Sequence, residues 1–146
     1  MNKRNIILIG MPGAGKSSVG VILAKVLGYE FIDTDLVIQH REKRLLREII
    51  ADEGNEGFLA IENEVNATLE ADKSVIAPGG SAIYGKEAME HFKEIGTIVY
   101  LKLSYEDLAK RLGNLKGRGV VLKEGQTLKD LYDERSKLYE QYAEIT

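Results

Sequence analysis

Residues 5–17 constrain this chain more than any other stretch. Asn5–Ile9 is a short apolar run rich in β-branched residues, and Gly10-Met11-Pro12-Gly13-Ala14-Gly15-Lys16-Ser17 follows it directly. The octet fits G-x-x-x-x-G-K-[ST], a loop that joins a strand to a helix. Its glycines let successive backbone N–H groups converge on phosphate oxygens, and the helix N-terminus adds a favourable dipole. Lys16 can then reach the β- and γ-phosphates, and the Ser17 hydroxyl can ligate Mg²⁺. The pattern predicts a nucleoside triphosphate site.

The remaining composition narrows the class. A chain of 146 residues predicts one domain with a core of its own. Without cysteine it has no disulfide, thiolate metal site or cysteine nucleophile. Lys and Arg number 20 against 23 Asp and Glu, a net charge of −3 that argues against general nucleic-acid binding. No apolar run is long enough for a membrane span. The basic start Met1-Asn2-Lys3-Arg4 precedes Ile6-Ile7-Leu8-Ile9, but Gly10 and Pro12 end that run too early for a secretion signal. A cytoplasmic protein is expected.

Strands are expected at Asn5–Ile9, Tyr29–Ile32, Val75–Ala77 and Thr97–Leu103, with Glu144-Ile145-Thr146 opening a fifth. Helices are expected over Lys16–Leu27, with Val19, Ile22, Leu23, Val26 and Leu27 at helical spacing, and Gly28 as its cap. Further helices are read at Leu45–Asp52, Gly57–Glu70, Glu87–Ile95, Ser104–Leu112 and Thr127–Tyr142, the last two opening on capping-box pairs. Gly113–Gly125 reads as a mobile loop. This order predicts a three-layer α/β/α domain, residues 1–146, around a mainly parallel five-stranded sheet.

Other candidate residues follow from that frame. Asp33 and Asp35 end the second strand, at the sheet edge where open α/β sheets bind ligands. In an extended segment at that edge, one can serve a metal and the other an acceptor; helix capping is the alternative. Gly79-Gly80-Ser81 follows the third strand, either letting backbone approach a ligand or forming a plain turn. Arg118, in the glycine-rich loop, can close over a triphosphate or stay solvated. Arg135, among Lys129, Asp133, Glu134 and Lys137, would ordinarily be assigned to a charged solvated face. The tyrosines at 100, 132, 139 and 142 read as packing.

Taken together, these marks resemble the shikimate kinases. GMPGAGKSSVG, FIDTDLVI, F-x-x-x-E at Phe58 and Glu62, VIAPGGSAI, the arginine of LKGRGVV, and R-x-x-x-Y at Arg135 and Tyr139 occur in that order. The resemblance implies ATP-dependent phosphorylation of a hydroxyl on shikimate or a related small hydroxy acid, by a monomer. It implies that Gly13, Ala14, Gly15, Lys16, Ser17 and Ser18 hold the phosphates, with Arg111 against the adenine. It further implies Ser17 and, through water, Asp33 for Mg²⁺. Asp35 would bind and deprotonate the acceptor, Gly79 and Gly80 would line its pocket, Arg135 would grip its carboxylate, and Arg118 would bridge it to the phosphates from a lid at about 113–125.

Three departures fall on the acceptor side. The family's arginine after the phenylalanine of F-R-x-x-E, which shares the acceptor carboxylate, is Leu59 here. Loss of a charge-assisted hydrogen bond weakens binding by roughly 10- to 150-fold. The third glycine of G-G-G is Ser81, and the family's Gly…Ser before the next helix is Lys43…Leu45. The ATP-side motifs are intact, so the pattern implies a kinase with an altered acceptor site. A nucleoside or nucleotide kinase and a non-catalytic ATP-binding homologue are the competing classes. Because family members continue through a fifth strand and a final helix, the resemblance also implies a shortened C-terminus.

Overall fold

The computed structural model describes residues 4–113 and 126–146. β1 (Asn5–Ile9) lies inside a parallel four-stranded sheet ordered β2-β3-β1-β4, with β2 at Glu30–Asp33, β3 at Ser74–Ala77 and β4 at Gly96–Tyr100. Ile7, Leu8, Ile9, Val75 and Ile76 are at most 2% exposed, which explains their continuous apolar runs: strands covered on both faces have no solvent side to alternate with. The fifth strand expected at the C-terminus is present only as its first contact, a parallel bridge from Ile145 to Val99. β4 ends at Tyr100, earlier than the expected Leu103.

The helices are α1 (Lys16–Leu27), α2 (Thr34–Glu42), α3 (Leu46–Ala67), α4 (Lys86–Ile95), α5 (Tyr105–Gly113) and α6 (Leu128–Tyr142). α1 turns its small residues, not its branched ones, toward the sheet. Gly20 and Ala24 are buried, whereas Ile22 and Val26 are 65% and 76% exposed. A Cβ on Gly20 would stand 2.5 Å from the Phe31 ring, so the helix lies too close to the sheet for a larger residue there. Gly28 ends α1 in the left-handed region, as expected.

The Asp33–Asp35 segment corrects the expectation of extended backbone. A helix starts at Thr34, and Asp33 is its N-cap, accepting the Asp35 N–H through Oδ1 at 2.9 Å. Capping is thus a real role of Asp33, and it carries Asp35 into the first turn of α2. The apolar spacing from Thr34 to Glu42 is too weak to predict this helix.

α3 unites the two helical stretches expected at Leu45–Asp52 and Gly57–Glu70. Gly54, at φ 75° and ψ 175°, breaks it in a conformation open essentially to glycine alone. Its start lacks a side-chain oxygen at Leu45, and two neighbours compensate. Glu48 Oε1 accepts the Leu45 N–H at 2.8 Å, and Gln39 Oε1 of α2 accepts that of Leu46 at 2.9 Å. The Thr127–Asp130 capping box opens α6 as expected. Tyr100 and Tyr139 are core residues with ring centroids 5.0 Å apart.

Candidate active site

A cleft of about 740 Å³ opens at the carboxyl edge of the sheet, walled by the β1–α1 loop, the starts of α2 and α3, the Ala77–Ser81 segment, Arg111 of α5 and Arg135 of α6. These segments, far apart in sequence, meet there because parallel strands deliver all their carboxyl ends to one edge.

The β1–α1 loop supplies the phosphate side. Gly13 and Gly15 take positive φ of 86° and 92°. At Gly10, φ is 154° and a Cβ would lie 2.9 Å from the Leu101 carbonyl oxygen. Lys16 Nζ donates to the carbonyls of Gly10 at 2.6 Å and Met11 at 3.2 Å, folding the cation over its own loop. Gly13, Gly15, Lys16, Ser17 and Ser18 line the cleft. Ala14 is not among the lining residues; its N–H closes a turn onto the Met11 carbonyl at 3.0 Å. Arg111 reaches across and donates to the Gly13 carbonyl at 3.1 Å. Such a glycine-built cradle with a lysine and a helix N-terminus suits a triphosphate.

Metal fits the same end of the cleft. Ser17 and Asp33 both line it, and among the described residues no cluster of three or more His, Asp or Glu could hold a cation by itself. The Ser17 hydroxyl and Asp33 carboxylate are the oxygen donors that could hold a hard cation such as Mg²⁺ beside bound phosphates.

The opposite side is more deeply buried. Asp35 Oδ1 and Glu62 Oε2 lie 2.8 and 3.0 Å from the point where a Cβ of Gly79 would stand, so only glycine leaves room there. A Cβ on Gly80 would meet Pro12 Cδ at 2.6 Å and Arg135 Nη1 at 2.9 Å. Tyr139 donates its hydroxyl to the Gly80 carbonyl at 2.6 Å, pinning that turn to α6. Burial pushes the Tyr139 phenol far up, so it remains a donor.

Arg135 is 1% exposed, which overturns the solvated-face reading of its charged surroundings. Its guanidinium lies 5.5 Å from the Tyr84 ring centroid. Three of its neighbours in sequence do face solvent; the helix simply turns this one inward, a distinction that charge pattern alone does not encode.

The F-x-x-x-E pattern marks Glu62 without giving it a role, and the structure places it in the cleft lining. It is 1% exposed and accepts the Ser81 hydroxyl at Oε1, 2.7 Å away, while Oε2 has no hydrogen-bond partner among the described residues. Burial raises its pKa to about 7; Asp35 adds to the rise, and Ser81, Arg135 and Lys16 oppose it. Gln39 and Arg47 line the cleft as well, and no motif had singled them out. Leu59 does not line it: partly buried, it packs with the cluster of Ile38, Ile49, Phe58 and Val65. Arg118 and the loop at 113–125 lie outside the described residues but for Gly113, which ends α5.

The family model for shikimate kinase matches residues 12–146. The chain belongs to the shikimate kinase family. A shikimate kinase of Histophilus somni is 39% identical over 147 residues, covering 98% of this chain and 84% of that one. Shikimate kinase 2 of Yersinia enterocolitica is 34% identical over 149 residues, covering 96% and 83%. The Acinetobacter baumannii shikimate kinase, solved in complex with shikimate, superposes with a TM-score of 0.86 at 35% identity, covering 97% of this chain and 81% of that one. Family membership makes this chain an ATP-dependent small-molecule kinase, and the α/β fold read from its sequence is the fold of these shikimate kinases.

Proposed function

We propose that this chain transfers the γ-phosphoryl group of ATP to a hydroxyl of shikimate or a closely related small hydroxy acid. The observation that carries the reading is the meeting, in one cleft, of Lys16 and Ser17 with Asp35, Gly79 and the buried Arg135. A phosphate cradle alone would fit any nucleotide enzyme. A carboxylate, a glycine-lined wall and a buried guanidinium facing it fit a small hydroxylated acid.

In this reading Asp35 accepts the hydrogen bond of the acceptor hydroxyl and takes its proton as the new O–P bond forms. The bond from the γ-phosphorus to the bridging oxygen breaks, and ADP leaves with the electron pair. Lys16 holds the transferring phosphoryl oxygens and offsets their charge, and Arg118 adds a second cation from its loop. Mg²⁺, held by Ser17 and through water by Asp33, would neutralise charge on the phosphates. Arg135 grips the acceptor carboxylate, and Arg111 lies against the adenine. The reaction needs no partner chain, and a cytoplasmic monomer is the simplest setting.

ADP release, followed across a panel of shikimate, other hydroxy acids, polyols and nucleoside monophosphates, tests the proposal. Shikimate or another hydroxy acid is expected to stimulate it. Turnover confined to nucleoside monophosphates, or ATP binding with no turnover on any acceptor, would overturn the reading.

A further inference from the structure

Arg47 stands in the first turn of α3 and lines the cleft beside Leu46, Phe58 and Glu62. The break at Gly54 makes this possible, because it bends the helix so that both limbs border one cavity. Every other described arginine has a partner. Arg4, Arg41 and Arg44 hold carboxylates, Arg111 holds the Gly13 carbonyl, and Arg135 sits over Tyr84. Arg47 makes no hydrogen bond or ion pair among the described residues.

Its position is unfavourable by itself. The first turn of a helix exposes N–H groups with positive partial charge, and a cation there opposes the dipole. Glu48 in the same turn offsets the dipole, but its Oε1 accepts the Leu45 N–H rather than pairing with Arg47. An anion bound in the cleft would pair a guanidinium that otherwise meets only solvent there.

Charge balance points the same way. Arg47 aside, the lining holds three acidic residues, Asp33, Asp35 and Glu62, against three basic ones, Lys16, Arg111 and Arg135. A triphosphate and a carboxylate acceptor both need surplus positive charge, and Arg47 supplies it on the acceptor wall. Leu59, further along α3, has turned into the Ile38–Phe58 cluster and supplies none.

We propose that Arg47 is the second anion grip of the acceptor pocket, binding the acceptor carboxylate opposite Arg135 in place of a cation at position 59. This rests on the kinase reading above and names the group that gives it selectivity for acids. Two guanidinium groups on different elements hold a planar carboxylate more selectively than one, because each fixes its own set of N–H···O directions.

The test is Arg47→Ala against two acceptors: shikimate, and the same molecule with its carboxylate reduced to a hydroxymethyl group. Arg47→Ala is expected to raise the KM for shikimate at least tenfold, since a charge-assisted hydrogen bond is lost. The KM for ATP should stay within twofold, and the KM for the reduced analogue should barely move. An unchanged shikimate KM, or equal weakening of acid and reduced analogue, overturns the proposal while leaving the kinase reading intact. If shikimate is not a substrate, the same comparison is made on whichever hydroxy acid the panel identifies. If no acid is turned over, both proposals fall.

Discussion

Ser81 donates its hydroxyl to Glu62 across 2.7 Å in the cleft, leaving the second carboxyl oxygen of Glu62 buried beside Asp35 and without a hydrogen-bond partner among the described residues. A carboxyl in that state prefers to keep its proton. Its pKa of about 7 lies above the ordinary 4.5, chiefly through burial. The folded protein therefore holds a proton that the unfolded chain has lost, and the folded state is penalised as the group ionises. The penalty is absent below pH 4.5, grows as pH rises, and is complete above about 7. At about 1.4 kcal/mol per unit it approaches roughly 3 kcal/mol. Glu62→Gln, which keeps an oxygen for Ser81, should thus gain stability over the parent by about 1–3 kcal/mol at pH 8 and little at pH 4.5. Chemical denaturation at the two pH values measures it; a pH-independent difference would show that Glu62 titrates normally.

Removing the other partner should push the carboxyl the opposite way from a simple loss of contact. The Ser81 hydroxyl favours the ionised form of Glu62, so Ser81→Gly should move its titration midpoint above 7. It should also cost about 1 kcal/mol, because a buried oxygen loses its donor. The carboxyl carbon chemical shift of Glu62, followed against pH, reports the midpoint directly. A midpoint that falls would mean that water or another side chain takes over from Ser81 with a stronger bond.

Lys43 occupies the left-handed region at φ 56° and ψ 36° at the end of α2. A non-glycine residue there costs roughly 1–2 kcal/mol, and glycine gives back about 0.5–1 through its greater freedom in the unfolded chain. Lys43→Gly should therefore stabilise the protein by about 0.5–1 kcal/mol. The denaturant midpoint should rise with an unchanged slope. Since Lys43 is absent from the cleft lining, turnover should not follow it.

How much of this was legible beforehand differs between the two sides of the cleft. The phosphate side is local: Gly10 through Ser18 form one loop, and each glycine answers to a backbone angle or a close approach that short-range chemistry dictates. The acceptor side is assembled from α2, α3, the Gly79–Ser81 turn and α6, and no residue there announces its partners. Arg135 looked solvated because its neighbours are charged, and only the turn of α6 against Tyr84 and Gly80 buries it. Asp35 looked extended because the capping bond from Asp33 replaces apolar periodicity as the helix signal. Gln39 caps a neighbouring helix, and Arg47 reaches the cleft only because Gly54 bends α3. Such contacts between distant segments leave no spacing in the sequence to read.

Gly79 is the most sensitive single position of that assembled wall. An added methyl would stand 2.8 Å from Asp35 Oδ1 and 3.0 Å from Glu62 Oε2, closer than ordinary carbon–oxygen contact allows. Glu62 cannot retreat, since it is 1% exposed and tied to Ser81, so Asp35 or the turn itself must shift. Asp35 sits in the first turn of α2, where its own N–H is held by Asp33, and in the proposed mechanism a displaced carboxylate there would meet the acceptor hydroxyl in the wrong place. A misplacement of about 1 Å in a reacting group costs on the order of 100-fold in rate. Gly79→Ala should therefore lower kcat/KM for the acceptor by at least tenfold while ATP binding, measured by calorimetry without acceptor, stays within twofold. The two measurements separate a local wall effect from a general loss of fold. A normal acceptor kcat/KM in Gly79→Ala would mean that Asp35 does not act from the position it holds beside Gly79.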